Sequence, residues 1–468
     1  MKSNHQEKFS RLRGQFPFFI FEKQDYSLTS DGLQIQYTFN LSDQWYFHPK
    51  LFIPRKTFFL SDEFFLGKLD NIVFNIGLIE LISYWKTACS PLVLIRPFAL
   101  LPEQCSWWKK LYFQGLGEFF YLNSIETDEA GFMNLTSTSE THLQVQPFSL
   151  HDGVIVPVGG GKDSAVTLEL LTPYTHYIPM IVNPRGASLE TIFAKGFSTE
   201  DCFEVRRTLD PLLLTLNDQG FLNGHTPFSA LLAFLTTLAS VLTGCRHIAL
   251  SNESSANEAT IEGTSINHQY SKSLEFESDF RDYLFQYINP DINYFSFLRP
   301  LNELQIAALF SNMTHYHKVF KSCNAGSRND TWCGKCAKCL FTYVVLSPFL
   351  PEPELIQIFG DNLLKNADGQ DLKPLFNQIT GISGEKPFDC VGTVDEVNMA
   401  LCETIRGYEQ RSLPATLVRY LETDQYRHYG DIDFRGFLNP VGKAHHLLPE
   451  FEKILLSAWY ARFDQRPV

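Results

Sequence analysis

A glycine-rich loop between an apolar run and a helical segment is the part of the sequence best suited to chemistry. The loop consists of Gly159, Gly160, Gly161, Lys162, Asp163 and Ser164. Consecutive glycines adopt backbone conformations closed to other residues, so successive N–H groups can turn toward one anion. A helix that begins after the loop adds the partial positive charge of its N-terminus. The pattern therefore predicts a phosphate-binding loop.

The polar side chains of the loop indicate what accompanies the phosphate. Lys162 supplies a mobile positive charge, and Ser164 can cap the helix or donate to a phosphate oxygen. Asp163 would repel phosphate unless Mg²⁺ lies between them, so we expect Asp163 to bind magnesium. The residue order is not the GxxxxGK[ST] pattern of Walker-type loops. A glycine-rich turn without a ligand is the alternative interpretation.

The strand–GGxDS–helix arrangement resembles the PP-loop of the ATP pyrophosphatase superfamily. The resemblance implies that the loop binds the pyrophosphate end of ATP and leaves the α-phosphorus open to a nucleophile. The products of such a reaction are AMP and diphosphate. Gly159 stands where the motif usually has a serine, and this departure removes one hydroxyl donor.

Four cysteines form a second chemical motif downstream of the loop. Cys323, Cys333, Cys336 and Cys339 have the spacing C-x9-C-x2-C-x2-C. Thiolates at this spacing can surround one ion tetrahedrally, and four protein ligands leave no open position for catalysis. We therefore predict a structural zinc site, with an iron–sulfur cluster as the alternative because thiolates suit both. The other six cysteines are scattered, and most are expected to be core residues.

Apolar runs that alternate with helical segments would position both motifs. The runs are VIVPV (154–158), YIPMIV (177–182), LLLTL (212–216), HIAL (247–250) and YFSFL (294–298). Interpreted as five strands, they predict a parallel sheet with crossover helices, the α/β architecture of a PP-loop domain. Before this region, alternation such as LQIQYTF (33–39) predicts antiparallel strands, accompanied by helices. After it the chain is mostly helical.

The change of pattern along the chain suggests three domains. A length of 468 residues predicts about three domains at the usual size. We place an α+β N-terminal domain at 1–150 and the ATP-binding α/β domain with its four-cysteine site at 151–345. A mostly helical C-terminal region follows at 346–468.

Polar residues follow several of the predicted strands. In an open parallel sheet, ligands bind beyond the carboxyl ends of the strands. Asn183 ends the second run and could meet the adenine, whereas Asn252 and Glu253 follow the fourth run. Arg299 follows the fifth run, and its guanidinium suits phosphate or carboxylate. A purely structural role for each residue is the alternative.

Composition limits the partners and the compartment. The net charge of −13 argues against broad contact with nucleic acid or anionic lipid. The first residues, MKSNHQEKFSRLRG, are polar and do not form a secretory signal, so the cytoplasm is the expected compartment. The stretch Thr226–Cys245 is uncharged and long enough to resemble a membrane span. Its serine and threonine residues, and the absence of a basic cluster at either end, favour a buried helix instead.

Longer stretches carry a resemblance to one family within the superfamily. Residues 223–277 and the YFSFLRPLNELQIA segment that follows look like the family of UDP-N-acetyl-α-D-muramoyl-L-alanyl-L-glutamate epimerases, MurL. ISYWKTACSP (82–91) and LYFQGLGEFFYLN (111–123) are similar to the family's N-terminal region. KPFDCVGTVDEV (386–397) is similar to its C-terminal region. The resemblance therefore spans most of the chain.

The resemblance implies a reaction of peptidoglycan precursor synthesis. The family uses ATP and Mg²⁺ to convert the terminal L-Glu of UDP-MurNAc-L-Ala-L-Glu to D-Glu, releasing AMP and diphosphate. Adenylation cancels the charge of the carboxylate, so a base can remove the neighbouring α-proton. In this interpretation, Lys162 and Arg299 stabilise the charge that builds on the phosphates.

The proton-transfer groups are less defined by the sequence. His225, Glu253, His268, Lys272 and Cys390 lie in stretches that resemble the family's motifs. Inversion needs two groups on opposite faces of the α-carbon, and any two of these could serve. Packing or substrate positioning is the alternative for each.

Other functions share the loop and the cysteines. The 7-cyano-7-deazaguanine synthases and the thiolases of transfer RNA combine a PP-loop with cysteines, and amide ligases of the superfamily also adenylate acids. The acidic composition counts against a transfer-RNA substrate, and a small anionic substrate is expected instead. A zinc-stabilised nucleotide-binding module without enzymatic activity is a third possibility. The sequence carries no information on the oligomeric state.

Overall fold

Alternating apolar and polar residues build the strands of the first part of the chain. In the strand β2, Gly32–Leu41, the side chains of Leu33, Ile35, Tyr37 and Phe39 are buried, whereas the residues between them are more exposed. The structure is a computed structural model. It describes residues 2–62, 67–174, 176–257, 270–323, 325–326, 329–367, 369, 372–384, 387, 389, 391–408 and 413–464.

The chain divides into two compact units, each built from separate stretches. Unit 1 comprises residues 1–155, 203–248 and 266–294, and unit 2 comprises 156–202, 249–265 and 295–468. Unit 1 thus includes stretches that lie inside the predicted ATP-binding domain. The boundaries at 150 and 345 stay a prediction.

Unit 1 contains a mixed sheet of seven strands. They are β1 Phe18–Leu28, β2 Gly32–Leu41, β3 Trp45–Phe47, β4 Lys50–Pro54, β5 Leu92–Ile95, β6 Asn134–Ser137 and β9 Phe203–Thr208. The order is β9-β4-β2-β1-β5-β6, with β3 paired to β2. The predicted antiparallel pairing holds for β1–β2, β2–β3 and β2–β4, whereas β1–β5 and β5–β6 are parallel.

The helices of unit 1 pack aromatic and aliphatic side chains into a large core. They are α1 Lys2–Gln15, α2 Asp70–Trp85, α3 Pro102–Gly115, α4 Gly117–Leu122, α7 Pro211–Asp218, α8 Phe228–Thr243 and α9 Leu274–Tyr283. Trp108 of α3 stacks on Phe234 of α8, with ring centroids 5.2 Å apart. The buried helix predicted for 226–245 is confirmed as α8. No helix in the described part of the chain is long and apolar enough to cross a bilayer.

Four strands flank the phosphate loop. They are β7 His151–Pro157, β8 Tyr177–Val182, β10 Cys245–Leu250 and β11 Asn293–Ser296, in the order β11-β10-β7-β8. The division into units passes through β7, β10 and β11. β7 and β10 pair in parallel, as predicted. Two helices follow the first two of these strands along the chain: α5 Lys162–Leu170 and α6 Gly186–Ala194.

One predicted strand is wrong. LLLTL (212–216) lies within the helix α7, which begins at Pro211 and is capped by the carboxylate of Asp210 at 2.9 Å from the Leu212 nitrogen. Proline in the first turn and an aspartate cap are helix-start features. The sheet instead contains β9, a strand that was not predicted because charged residues interrupt its apolar pattern.

The rest of unit 2 is mainly helical, as predicted for the C-terminal region. Its helices are α10 Glu303–Phe310, α11 Ala337–Leu346, α12 Glu352–Phe359, α13 Leu363–Asn366, α14 Leu372–Ile379, α15 Val394–Arg406, α16 Ala415–Tyr420, α17 Asp424–Tyr429, α18 Phe434–Leu438 and α19 Pro449–Asp464. The protein is therefore a mixed α/β structure with a large sheet and many helices.

Candidate active site

The glycine loop leads from β7 into the first turn of α5, as the sequence predicts. Gly161 is the N-cap of α5, and Lys162 is its first residue. Ser164 therefore does not cap the helix, and its hydroxyl donates to the Gly161 carbonyl at 3.0 Å. The N–H groups of a helix's first turn have no acceptor within the helix. They can therefore donate to an anion held in the loop.

Gly160 is the loop position where a side chain is excluded. Its φ is +88°, and a Cβ there would lie 2.7 Å from the carbonyl carbon of Ala187 in α6. A Cβ at Gly159, by contrast, would meet nothing within 4 Å. A serine side chain would therefore not be excluded at Gly159, and the absence of a hydroxyl there has no steric cause.

Lys162 lies in a buried ion pair and is not the mobile charge that we expected. Its side chain is 5% exposed, and its ammonium contacts the carboxylates of Asp163, at 2.5 Å, and Glu303. Burial by itself lowers the pKa of Lys162, but the two carboxylates raise it above the ordinary value. Lys162 is thus held charged between two acidic groups.

Three carboxylates converge beside Lys162. One oxygen each of Asp163, Glu253 and Glu303 lies within 4.8 Å of the others. Burial raises the pKa of Glu303 well above its ordinary value, and the neighbouring carboxylates add to that effect against the attraction of Lys162. Crowded carboxylate oxygens are the donors that Mg²⁺ prefers. We refer to Asp163, Glu253 and Glu303 as the acidic cluster.

Glu396 links the acidic cluster to the C-terminal helices. Its carboxylate accepts hydrogen bonds from the backbone nitrogen of Glu303 at 2.8 Å and from that of Thr393 at 2.5 Å. The Thr393 hydroxyl accepts from the Glu396 nitrogen, which completes a capping box at the start of α15. Burial raises the pKa of Glu396.

Arg299 contacts the segment that carries Glu253 and is almost fully buried. Its guanidinium donates to the Glu253 carbonyl at 2.6 Å and to the Ser296 hydroxyl at 3.1 Å. The amide of Asn252 donates to the same hydroxyl at 3.0 Å. In these contacts Arg299 and Asn252 hold the segment that carries Glu253.

An open cleft of about 390 Å³ lies in unit 2 next to these groups. Its walls come from the segment after β10, the N-cap of α10 and the start of α15. The lining residues are Ser254, Ser255, Asn302, Thr393, Asp395, Glu396 and Phe437. A cleft of this volume whose lining includes polar side chains and the buried Glu396 has the character of a small-molecule site.

The four cysteines come together as the sequence predicts. Sγ–Sγ distances are 3.7 Å for Cys323–Cys336, 3.7 Å for Cys333–Cys339 and 3.5 Å for Cys336–Cys339. Tetrahedral zinc with bonds of about 2.3 Å requires sulfur atoms about 3.8 Å apart. The backbone nitrogen of Gly326 donates to Cys323 Sγ at 3.1 Å, which stabilises a thiolate. The arrangement therefore fits a single tetrahedral ion.

Residues 321–339, which we call the cysteine segment, also contact the phosphate loop. The Lys321 nitrogen donates to the Gly160 carbonyl at 2.8 Å. The carboxylate of Asp330 accepts from the nitrogens of Gly186, at 3.0 Å, and Ala187, at 2.9 Å, and so caps α6. Asp330 itself has a φ of 49°. The cysteine segment therefore contacts the loop directly at Gly160 and also caps α6, whose first turn packs against Gly160.

Comparison with known proteins decides the family. A model of the MurL N-terminal domain matches residues 11–297, and a model of the MurL C-terminal domain matches residues 319–428. The chain belongs to the MurL family.

Three curated relatives match this chain over most of their length, and all three have the same name. A UDP-N-acetyl-alpha-D-muramoyl-L-alanyl-L-glutamate epimerase of Salinispora tropica is 35% identical over 72% of this chain and 73% of its own. The epimerase of the same name from Xanthomonas oryzae pv. oryzae is 34% identical over 69% of this chain and 72% of its own. That of a Micromonospora strain is 32% identical over 80% of this chain and 83% of its own. No solved structure matches.

The remaining predicted residues of this MurL chain lie in different places. Asn183 is exposed directly after β8, with a φ of 49°. Lys272 is half-buried in a single 3-10 turn, Tyr270–Lys272, of unit 1. His268 and Cys390 lie outside the described residues.

Sequence reasoning missed Glu303, Glu396 and Asp330. Glu303 and Asp330 belong to no local motif, because Glu303 meets Lys162 and Asp330 meets Gly186 across more than 140 positions. Glu396 had a detectable signal, because Thr393 and Glu396 form the T-x-x-E pattern of a capping box.

Proposed function

We propose that this chain is an ATP-dependent epimerase of peptidoglycan precursor synthesis. It would convert the terminal L-Glu of UDP-MurNAc-L-Ala-L-Glu to D-Glu, with AMP and diphosphate as the other products. The names of the curated relatives support epimerisation of this precursor. The use of ATP is supported by the resemblance of the loop to the PP-loop.

The observation that carries the proposal is the acidic cluster beside the glycine loop. A loop suited to phosphate begins α5, and its Asp163 meets two further carboxylates at the same place. That combination suits the magnesium complex of a nucleoside triphosphate, because the ion would offset negative charge on both the phosphates and the carboxylates.

Adenylation gives the epimerisation a chemical route. The α-hydrogen beside an ionised carboxylate is hard to remove, because a second negative charge develops next to the first. When the carboxylate oxygen attacks the α-phosphorus, a C–O–P bond forms and the bond to diphosphate breaks. The acyl adenylate is uncharged at that carbonyl, so a base can remove the α-proton. Reprotonation from the other face and hydrolysis then give the D-Glu dipeptide and AMP.

Residues of unit 2 have separate roles in this proposal. The loop 159–164 binds the β- and γ-phosphates through backbone N–H groups. Asp163, Glu253 and Glu303 would hold magnesium, which offsets phosphate charge when it is bound. Lys162 keeps Asp163 and Glu303 together, and Arg299 positions Glu253 through its carbonyl.

The contacts at the acidic cluster support a cation there. One oxygen each of Asp163, Glu253 and Glu303 lies within 4.8 Å of the others, and the Lys162 ammonium contacts Asp163 and Glu303. Carboxylates this close repel one another, so a divalent cation between them would stabilise their ionised forms.

The four cysteines are proposed to hold zinc as a structural ion. All four ligands come from the protein, so the ion would have no open position for substrate. It would stabilise the segment 321–339 by closing it, and through Lys321 it would support the phosphate loop.

The proposal is tested by product analysis with an Asp163→Asn variant. With UDP-MurNAc-L-Ala-L-Glu, ATP and Mg²⁺, the wild type should yield D-Glu after hydrolysis of the peptide, with equal amounts of AMP and diphosphate. Asp163→Asn should lower diphosphate release by about 100-fold or more. Asp218→Asn, an exposed residue of α7, is the matched control and should retain wild-type rates. Normal diphosphate release by Asp163→Asn would show that the loop is assigned incorrectly.

A further inference from the structure

The cysteine segment begins with Lys321 and Ser322, which lie against the glycine loop within unit 2. The backbone nitrogen of Lys321 donates to the Gly160 carbonyl at 2.8 Å. The Cβ of Ser322 lies 3.4 Å from the position that a Cβ would occupy at Gly161. The Ser322 side chain is therefore next to the last glycine of the loop.

The loop leaves space for a ligand at two of its three glycines. Among the residues that the structure describes, and apart from chain neighbours, a Cβ at Gly159 would meet nothing within 4 Å. A Cβ at Gly161 would meet only Ser322 among the same residues. An anion held by the first-turn N–H groups of α5 would therefore have Ser322 as a neighbouring side chain.

The polar side chains of the loop are already engaged with protein groups. The Lys162 ammonium contacts two carboxylates, and the Ser164 hydroxyl donates to the Gly161 carbonyl at 3.0 Å. Gly159 has no side chain that could donate. A side-chain donor that is free to bind an anion is therefore expected from outside the loop.

Ser322 has such a donor. The residue is half-buried, and in the described part of the chain its hydroxyl has no hydrogen-bond partner. A serine hydroxyl has one hydrogen, which rotates toward whichever acceptor is present. Hydrogen bonds to ionised phosphate oxygens are stronger than those to neutral acceptors. The Ser322 hydroxyl can therefore bind a phosphate without giving up a contact within the described structure.

The backbone on both sides of Ser322 is held in place. On one side the Lys321 amide is bonded to the Gly160 carbonyl. On the other side Cys323 is 3% exposed, and its Sγ lies 3.7 Å from the Sγ of Cys336. A donor that is positioned before its ligand arrives loses less conformational entropy on binding than a mobile donor does. Ser322 is therefore suited to a preorganised contact with a ligand of the loop.

We propose that the Ser322 hydroxyl donates a hydrogen bond to a β- or γ-phosphate oxygen of ATP bound in the glycine loop. This inference rests on the proposed function and adds a binding residue to it. Ser322 keeps its proton throughout, so it stabilises the bound nucleotide and takes no part in proton transfer at the glutamyl α-carbon. Its contribution is therefore measured by nucleotide affinity.

The test compares the binding of ATP and of AMP, each with Mg²⁺, by isothermal titration calorimetry. Ser322→Ala should bind ATP about 10-fold more weakly than wild type, because a hydrogen bond to a charged oxygen is lost. Its affinity for AMP should stay within about 2-fold of wild type, because AMP has no β- or γ-phosphate to accept that bond. Ser322→Thr keeps a hydroxyl and should bind ATP within about 3-fold of wild type. Ser457→Ala, at an exposed serine of α19, is the matched control and should bind as wild type.

Metal content and thermal stability distinguish phosphate binding from a structural role, because Ser322 directly precedes Cys323. Ser322→Ala should keep the metal content and the Tm of the wild type. The inference would be overturned by unchanged ATP affinity in Ser322→Ala, by an equal loss of affinity for ATP and AMP, or by loss of metal together with ATP affinity. A wild type that binds no ATP would instead overturn the proposed use of ATP, and this inference with it.

Discussion

The ammonium of Lys162 lies between Asp163 and Glu303, where it reduces the repulsion within the acidic cluster without cancelling it. Asp163, Glu253 and Glu303 bring three carboxylates together, and the Lys162 ammonium contacts two of them. Protons and a divalent cation would compete for the oxygens of these carboxylates. The acidic cluster is therefore a place where pH and magnesium are linked.

Magnesium should stabilise the protein more at pH 8 than at pH 6. The raised pKa of Glu303 means that the folded chain binds its proton more tightly than the unfolded chain does. In the absence of metal, this contribution to stability is fully present below the ordinary carboxyl pKa. It is lost as the pH rises through the raised value. Magnesium takes the place of the proton at high pH, so the Mg²⁺-induced rise in Tm should grow with pH.

Glu303→Gln provides the comparison for that measurement. The amide cannot ionise, so the Mg²⁺-induced shift in Tm should become smaller and nearly independent of pH. An equal Tm shift at both pH values in the wild type, or an unchanged response in the variant, would contradict magnesium binding at the acidic cluster.

Residues of a binding or metal site are predicted well from the sequence where they are neighbours along the chain. The loop 159–164 and the four cysteines are local motifs, and the structure assembles both. Glu303 was not predicted, because only the fold brings it to Lys162, whereas the capping-box pattern of Thr393 and Glu396 is visible in the sequence. Arg299 follows a predicted strand, and its described contacts include the Glu253 carbonyl and the Ser296 hydroxyl, so a role toward phosphate stays a prediction.

At the scale of elements, the phosphate loop is held between the start of α6 and the cysteine segment. Gly160 packs against the backbone of α6, and its carbonyl accepts from Lys321. Asp330 caps α6 from the same cysteine segment. The conformation of the loop therefore depends on two elements distant in sequence.

Gly160→Ala should destabilise the fold and weaken nucleotide binding. The added Cβ would meet the α6 backbone at 2.7 Å with a φ of +88°. Left-handed backbone strain of about 1–2 kcal/mol and overpacking of about 1–3 kcal/mol would add together. Gly159→Ala, with nothing within 4 Å of its Cβ, should be tolerated. Urea unfolding and binding of a fluorescent ATP analogue measure both effects, and equal behaviour of the two variants would refute this account of the loop.

The four-cysteine site should contain one zinc ion per chain. Cys336→Ser should lose the metal and bind the ATP analogue more weakly, because the segment that contacts Gly160 would lose its closure. Cys105→Ser, which lies outside the site, should keep one zinc. Elemental analysis and nucleotide titration provide the readouts. Iron in place of zinc, or no metal, would contradict the assignment.

The prediction of elements failed where a short apolar run had two interpretations. LLLTL fits a buried strand, yet α7 buries Leu213 and Leu216 and exposes Leu214 to 58%. Runs of four to five apolar residues cannot be assigned by periodicity alone. β9 was missed for the opposite reason, because Glu204, Arg206 and Arg207 break its apolar pattern.

At the scale of the whole molecule, the phosphate loop, the acidic cluster and the four cysteines all belong to unit 2. Each unit is assembled from three separate stretches of the chain, and the domain boundaries at 150 and 345 stay a prediction. Sequence patterns change only where the type of secondary structure changes, so the return of a chain to an earlier unit leaves no local signal.

The net charge of −13 belongs to the same scale. An acidic surface disfavours a polyanion such as transfer RNA, but a small anionic substrate needs only a local cation. In the proposed function, magnesium at the acidic cluster would supply that positive charge.

The most direct test is incorporation of deuterium during turnover of the wild type. UDP-MurNAc-L-Ala-L-Glu is incubated in D₂O with Mg²⁺, with and without ATP, and the glutamyl Cα is examined by mass spectrometry alongside AMP. The account predicts deuterium at Cα and D-Glu only when ATP is present, together with AMP. AMP formation without deuterium at Cα would contradict it and would indicate adenylation for another purpose.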